Sequence, residues 1–214
     1  MDHFVKRGPV IFSGLGELLY EWKHDAVSGG LVVSAVPFLM VQLASFEYMM
    51  EPLDFVPIRQ MQARIAQTMP HVCLVCAMDA GLRYDIHPKN KKPVGERLAL
   101  QALHRVYGLP LLSDSPSFRE IRKQGCELVI SFLAGEGLHV RGAEPQTVDL
   151  EVNRQSTVDF IAAVRDDCLV ISSPELENAR CAAVRFAWRP WCEDNVCNRA
   201  DLPVFPFEAT WQQE

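Results

Sequence analysis

The sequence predicts a mixed α/β chain in which a parallel sheet with helices is followed by a β-rich region. Up to about Gly108, continuous apolar runs alternate with segments of helical periodicity, as in βα units with a parallel sheet. After Pro110, short segments alternate in polarity and are separated by turn residues. The chain has 214 residues, of which 49% are hydrophobic, enough for one large or two small domains. We therefore predict two domains, residues 1–108 and 109–214.

The first region is predicted to contain two buried strands and two helices. Residues 38–43 and 72–78 are apolar runs that are typical of strands buried on both faces. Between them, the spacing of apolar residues predicts a helix over about 57–68. A second helix is predicted to start at about Pro93, because proline suits the first helical turn, and to end at Gly108.

The second region is predicted to be built from short strands. Leu128, Ile130 and Phe132 are expected to face one side of a strand and Glu127 and Ser131 the other. Val184 and Phe186 alternate with Arg185 in the same way. Glycine and proline clusters at 135–137 and 142–145 indicate turns between the strands. A chain with this alternation can bury one face of each strand and leave the other in water.

A loop after the second predicted strand contains an acid and a histidine, Asp85 and His87. The order of strand, loop and helix places His87 at the carboxyl end of a strand, where open α/β sheets have their active sites. A carboxylate bonded to an imidazole holds the ring in one tautomer and stabilises its protonated form. The pattern therefore predicts His87 as a general base and Asp85 as its orienting acid, or as a residue that caps the loop.

These residues lie within a longer pattern that resembles the sialate O-acetylesterase family, which are SGNH-type serine esterases. The resemblance covers roughly residues 30–210. It is carried by Pro37-Phe-Leu-Met-Val-Gln-Leu43, Arg59-x-x-Gln62, Asp85-Ile-His-Pro88, Val94-Gly-x-Arg-Leu98, Tyr107-Gly108, Val184-Arg-Phe-Ala-Trp188 and Leu202-Pro-Val-Phe-Pro-Phe207. It implies an SGNH-type parallel sheet with helices, an appended β-sandwich-like domain, and removal of O-acetyl groups from sialic acids or related acetylated sugars without a cofactor.

The chain departs from the family pattern in ways that concern catalysis. A serine hydrolase needs a nucleophile and an oxyanion donor as well as a base. The family has its serine in a Gly-x-Ser-Gln/Asn turn, which this sequence does not contain, and its Trp-Tyr-Gln-Gly-Glu-Ser-Asn block matches residues 10–17 poorly. SGNH enzymes often have the acid three residues before the histidine, where this chain has Tyr84. We expect the C-terminal portion of a longer esterase, whose N-terminal portion would supply the serine, or else a non-catalytic or carbohydrate-binding remnant.

Composition and residue patterns also limit the partners, the location and the metal sites that we expect for this chain. The formal net charge is −6, and no basic stripe is present, so nucleic acid is not an expected partner. No segment predicts a transmembrane span or a secretory signal, and the family resemblance implies a lysosomal or secreted protein. Cys73 and Cys76 fall on opposite faces of a strand, and no metal site is predicted. Cys192 and Cys197 lie in one polar loop and could pair; the substrate-binding residues are left unassigned.

Overall fold

The computed structural model of the chain describes residues 37–48 and 54–213. The segment 10–17, which was compared with the family's second block, and the first part of the predicted 1–108 domain lie outside these ranges. The described residues form two α-helices, twelve strands, and short 3-10 helices at Met78–Ala80 and Pro174–Leu176. In chain order the elements are β1 Phe38–Val41, α1 Val56–Thr68, β2 Val72–Val75, α2 Lys92–Arg105, β3 Ser117–Gln124, β4 Glu127–Leu133, β5 His139–Val140, β6 Val148–Val152, β7 Gln155–Thr157, β8 Ile161–Arg165, β9 Cys168–Ser172, β10 Cys181–Phe186, β11 Val196–Cys197 and β12 Phe207–Gln212.

Strands β1 and β2 pair in parallel, with Phe38 opposite Val72 and Val41 opposite Val75. Helix α1 covers one face of this pair, where Ile65 joins the β2 side chains of a small apolar core. Helix α2 also contacts both strands. The two predicted strands and two predicted helices are therefore confirmed, although both strands end earlier than their apolar runs.

Strands β3 to β12 contain two four-stranded antiparallel sheets, with the orders β3-β4-β9-β8 and β12-β10-β6-β7. Their inward side chains form one shared core, which identifies a β-sandwich. The ring of Phe207 on β12 lies 5.5 Å from Phe118, 5.6 Å from Phe132 and 5.7 Å from Phe186, measured between centroids. Aromatic contacts of this kind add packing energy beyond simple burial, so Phe207 ties the two sheets together.

The alternation that predicted the β-rich region is confirmed. Leu128, Ile130 and Phe132 are buried on β4, and Val184 and Phe186 are buried on β10. The fold as a whole is mixed α/β with strands predominating, and the β1–β2 pair is the parallel pairing among the named strands of the described ranges. The wider SGNH-type parallel sheet and the domain boundary at residue 108 stay predictions.

The α/β layer and the sandwich are in direct contact. Phe205 packs against the apolar cores of both, and the backbone N–H of Phe46, after β1, donates to the Pro190 carbonyl, after β10, at 2.9 Å. The region around the ends of β1, β2 and β10 is therefore held from both sides. None of the helices in the described ranges has the length and apolar character needed to cross a bilayer.

Candidate functional site

The loop that carries Asp85 and His87 lies between the Met78–Ala80 turn and helix α2. It follows β2, so the predicted position at the carboxyl end of a parallel strand is observed. Both Asp85 and His87 are exposed. An accessible imidazole at this position meets the first requirement of a general base, which is to be reachable by a substrate.

The Asp85 carboxylate bonds to the backbone of its own loop. Its Oδ1 accepts the backbone N–H of His87 at 2.8 Å, a local bond that mimics a backbone turn. Of the two roles that the sequence left open for Asp85, the structure therefore shows the loop cap. The orienting bond from the Asp85 carboxylate to the His87 imidazole stays a prediction, because the bond observed is to the backbone N–H.

The start of this loop is packed tightly against the segment that follows β1. A Cβ added to Gly81 would lie 2.1 Å from the Ser45 carbonyl oxygen, so only glycine fits there without a shift of backbone. The Ser45 hydroxyl lies 3.0 Å from the carbonyls of both Met78 and Cys192. The Glu47 backbone N–H donates to the Arg83 carbonyl at 2.8 Å. These contacts fix the path along which the chain reaches His87.

A small, mostly apolar cavity of about 210 Å³ lies at this junction. Phe46, Phe55 and Ile58 line one side, and Asp85 and Ile86 of the histidine loop line another. The volume is below the roughly 300–1,000 Å³ of typical ligand pockets.

Arg59 of helix α1 is the central connector of the region. Its side chain is buried, and it donates to four backbone carbonyls: Leu43 at 3.0 Å, Ala44 at 2.8 Å, Arg189 at 2.8 Å and Pro190 at 2.9 Å. Burial lowers the pKa of the guanidinium, against weaker opposing effects of nearby thiols and Asp54. The segment after β1 and the segment after β10 are thus joined through one side chain.

Gln62, one helical turn after Arg59, fixes the same segment from the same helix. Its Oε1 accepts the Leu43 N–H at 2.9 Å, and its Nε2 donates to the Val41 carbonyl at 3.0 Å. These two bonds continue the pattern of a β-strand partner along the end of β1. The Arg59-x-x-Gln62 spacing therefore positions the backbone beside the site.

A buried ion network lies behind the histidine loop. Arg97 of α2 donates to both carboxylate oxygens of Asp79, at 2.6 and 2.7 Å, and Arg141 donates to Asp79 Oδ2 at 2.7 Å. Burial alone would raise the pKa of Asp79, but the bonds and charges of the two arginines outweigh it and lower that pKa. Arg141 also bonds to Asp201, so the network joins α2 to the sandwich side.

With this geometry established, the chain can be compared with known proteins. No family model and no curated protein matches the chain. Among solved structures, the chain is similar to the crystal structure of a novel carbohydrate acetylesterase from Xanthomonas citri, with 30% sequence identity and a TM-score of 0.77. The match covers 91% of this chain and 45% of that one. This chain thus spans less than half the length of that protein. The relative is an acetylesterase, which is the general class that the sequence resemblance predicted.

The described residues contain no hydrogen-bonded pair of a serine hydroxyl and a histidine. The buried Ser45 hydroxyl, the serine nearest the histidine loop among the contacts above, is directed at carbonyl oxygens. A serine in this state has no base to remove its proton. The nucleophile expected of the family is therefore not assembled by the residues that the structure describes.

Three of the seven cysteines, Cys76, Cys192 and Cys197, are buried, whereas Cys126 is exposed. All seven thiols are free, including Cys192 and Cys197, whose pairing the sequence left open. Burial is the main cause that raises the pKa of each of these two thiols to about 12. A thiol with so high a pKa is protonated at neutral pH and is a poor nucleophile. The described residues also hold no cluster of three or more potential metal ligands.

Asp194 is a buried acid that sequence reasoning did not single out. Its side chain is 4% exposed, Oδ1 accepts the Val196 N–H at 3.4 Å, and Oδ2 has no hydrogen-bond partner in the described residues. Burial, reinforced by the charge of Asp79, raises the pKa of this carboxyl well above its ordinary value. Burial therefore favours the protonated form of Asp194.

Proposed function

We propose that this chain is the histidine-bearing part of a carbohydrate O-acetyl ester hydrolase. The observation that carries the proposal is the exposed His87, in a loop at the carboxyl end of a parallel strand, in a chain similar over 91% of its length to a carbohydrate acetylesterase. The finer assignment follows the sequence resemblance: an SGNH-type esterase that acts on O-acetylated sialic acids or related acetylated sugars, with a lysosomal or secreted location.

In the proposed reaction, His87 accepts the proton of a serine hydroxyl as its oxygen attacks the acetyl carbonyl carbon. The tetrahedral intermediate collapses, the bond from the acetyl carbon to the sugar oxygen breaks, and the protonated imidazole returns the proton to that oxygen. Water, activated by the same imidazole, then releases acetate from the acyl-enzyme. Asp85 orients the His87 ring once its carboxylate bonds to the imidazole. Positioned acid–base groups together typically raise the reaction rate by roughly 10²–10⁴-fold, and this orientation is part of that effect.

The serine and the oxyanion donors are proposed to come from the N-terminal portion of the same type of esterase. The Gly-x-Ser-Gln/Asn turn is absent from the sequence, and the solved relative has more than twice the length that this chain matches. The part of the Xanthomonas citri esterase that lies outside the match is the polypeptide that we propose to test as the source of these groups.

The second candidate is a non-catalytic remnant or carbohydrate-binding fragment of such an esterase. The observation that favours it is the absence of any serine–histidine hydrogen bond among the described residues. A remnant would keep the sandwich and the connecting network without any need for an accessible imidazole.

Acetate release separates the two candidates. The purified chain is assayed with an acetylated xyloside, an O-acetylated sialic acid and p-nitrophenyl acetate, alone and co-expressed with the segment of the Xanthomonas citri esterase that lies outside the match. Turnover that disappears with His87→Ala and persists with His104→Ala, a histidine of helix α2, supports the hydrolase. Turnover that is unchanged by His87→Ala, or no turnover in either form, supports the remnant.

A further inference from the structure

A cleft of about 450 Å³ with a mixed polar and apolar lining lies between the α/β layer and the β-sandwich. We call it the Trp191 cleft; its lining includes Glu47, Arg83, Gln146, Thr147, Trp191 and Glu193. Its volume falls within the roughly 300–1,000 Å³ of small-molecule sites. Arg83 stands four residues before His87 in the same loop, so the cleft and the proposed base share one loop.

The lining has the chemistry that recognises a sugar ring. Trp191 is a partly exposed aromatic residue, whose flat apolar face suits the C–H face of a pyranose. Glu47, Glu193 and Gln146 bring acceptors and donors that match ring hydroxyls. We propose that the Trp191 cleft binds a neutral sugar ring of the acetylated substrate, an inference that rests on the proposed function and narrows its substrate class.

The charges of the cleft favour a neutral sugar over a sialic acid. Arg83 is committed to Glu47 through an ion pair of 2.5 Å, and Arg189, a further lining residue, is committed to Asp149. Glu193 forms no ion pair within the described ranges. Since both lining arginines are neutralised and one carboxylate is not, the carboxylate of a sialic acid would meet repulsion without a free cation to offset it.

Thr147 adds a second, independent observation at the same cleft. Its φ is 55°, in the left-handed region that a β-branched residue rarely adopts. Its buried hydroxyl has no hydrogen-bond partner in the described residues. Residues held in strained conformations cluster at active sites and ligand sites, where the surrounding structure offsets the cost of the strain.

The position of the cleft wall is set by Arg59. The Arg59 guanidinium bonds to the Arg189 and Pro190 carbonyls, directly before Trp191, and to the Leu43 and Ala44 carbonyls on the other side. The aromatic wall and the histidine-bearing layer are therefore held in one arrangement before any ligand arrives. A preformed site of this kind avoids part of the ordering cost of binding.

The inference is tested by titrating the full chain with methyl β-D-xylopyranoside and, separately, with the methyl α-glycoside of N-acetylneuraminic acid. The indole N–H signals of the four tryptophans are followed by NMR. We expect a saturable shift of the Trp191 signal with the xyloside, no shift of Trp211, which does not line the cleft, and affinity at least about tenfold weaker for the acidic glycoside. No shift at Trp191, or equal or tighter binding of the acidic glycoside, would overturn the inference.

Variants provide the matched controls. Trp191→Ala is expected to weaken xyloside binding by at least about tenfold, whereas Trp191→Phe and Trp211→Phe keep it within about threefold. Glu193→Arg, at an exposed position that leaves the fold intact, is expected to reverse the preference toward the acidic glycoside. An unchanged preference overturns the charge reasoning even if Trp191→Ala does not fold.

Deacetylation that depends on His87 with a KM unaffected by Trp191→Ala would reject this inference and leave the proposed function standing. Sugar binding at Trp191 without any deacetylation would reject the proposed function instead.

Discussion

Replacement of Arg59 by methionine tests whether this side chain holds the two layers together. Methionine has a similar length and packs well in irregular cores, so the change removes the four hydrogen bonds with little loss of volume. Four carbonyls that were paired with a charged donor would then be left without it. A buried acceptor that loses its donor costs about 1–3 kcal/mol.

The expected loss is large against the roughly 5–15 kcal/mol by which domains are stable, so Arg59→Met should shift the urea midpoint strongly or prevent folding. Arg59→Lys keeps a charge and three donors on a flexible stem without the planar fork, and is expected to lose about half as much. Arg64→Ala provides the control, since Arg64 is exposed on the same helix and such changes usually stay within about 0.5 kcal/mol. The free energy of unfolding is measured by urea titration followed by circular dichroism. An Arg59→Met chain within about 1 kcal/mol of wild type would refute the assigned role.

Three further changes have defined outcomes. Gly81→Ala is expected to destabilise the chain by about 2 kcal/mol or more, because the new methyl group collides with the Ser45 carbonyl. Gly95 lies inside α2 with open space around it, so Gly95→Ala is expected to stabilise the chain by about 1 kcal/mol. Equal midpoints of the two variants in thermal unfolding would contradict this. Asp79→Asn should lower the free energy of unfolding at neutral pH but not at acid pH. The lowered pKa of Asp79 contributes stability that is present above about pH 3.9 and is lost as the pH falls through the folded-state pKa. An equal loss at pH 2.5 and pH 7 would count against this role. Asp194→Asn should change stability in the opposite direction, because the pKa of Asp194 is raised and the native carboxyl therefore lowers the free energy of unfolding as the pH rises above about 3.9. In urea titrations the variant should become more stable relative to wild type between pH 4 and pH 8. A difference that stays constant over this range would exclude this role.

The elements that could be predicted from the sequence are those set by local patterns. The alternation at Leu128, Ile130 and Phe132 defines the buried face of β4 because side chains on a strand point to opposite sides. The helix predicted over about 57–68 is α1, Val56–Thr68, because its apolar spacing has one period throughout. The predicted strand over 72–78 was too long, because the apolar run continues past the end of β2 at Val75 to Met78, which is buried in a 3-10 turn and not in a strand.

The site could be predicted only in part. Asp85 bonds to a backbone group two residues away, so its capping role was visible in the sequence but could not be separated there from a bond to the ring. Arg59 could not be assigned, because two of its four acceptors lie 130 and 131 residues away and are backbone carbonyls without a residue signature. Its signal in the sequence was the Arg59-x-x-Gln62 spacing alone. The strain at Thr147 likewise depends on backbone geometry that no pattern of residue types reveals.

The most direct measurement of the central claim is the rate of acetate release from an acetylated xyloside by the chain co-expressed with the uncovered segment of the Xanthomonas citri esterase. We expect turnover, and we expect His87→Ala to lower kcat by about 10²-fold or more while Arg64→Ala leaves it unchanged. Turnover that continues at the wild-type rate without the His87 imidazole would contradict the account.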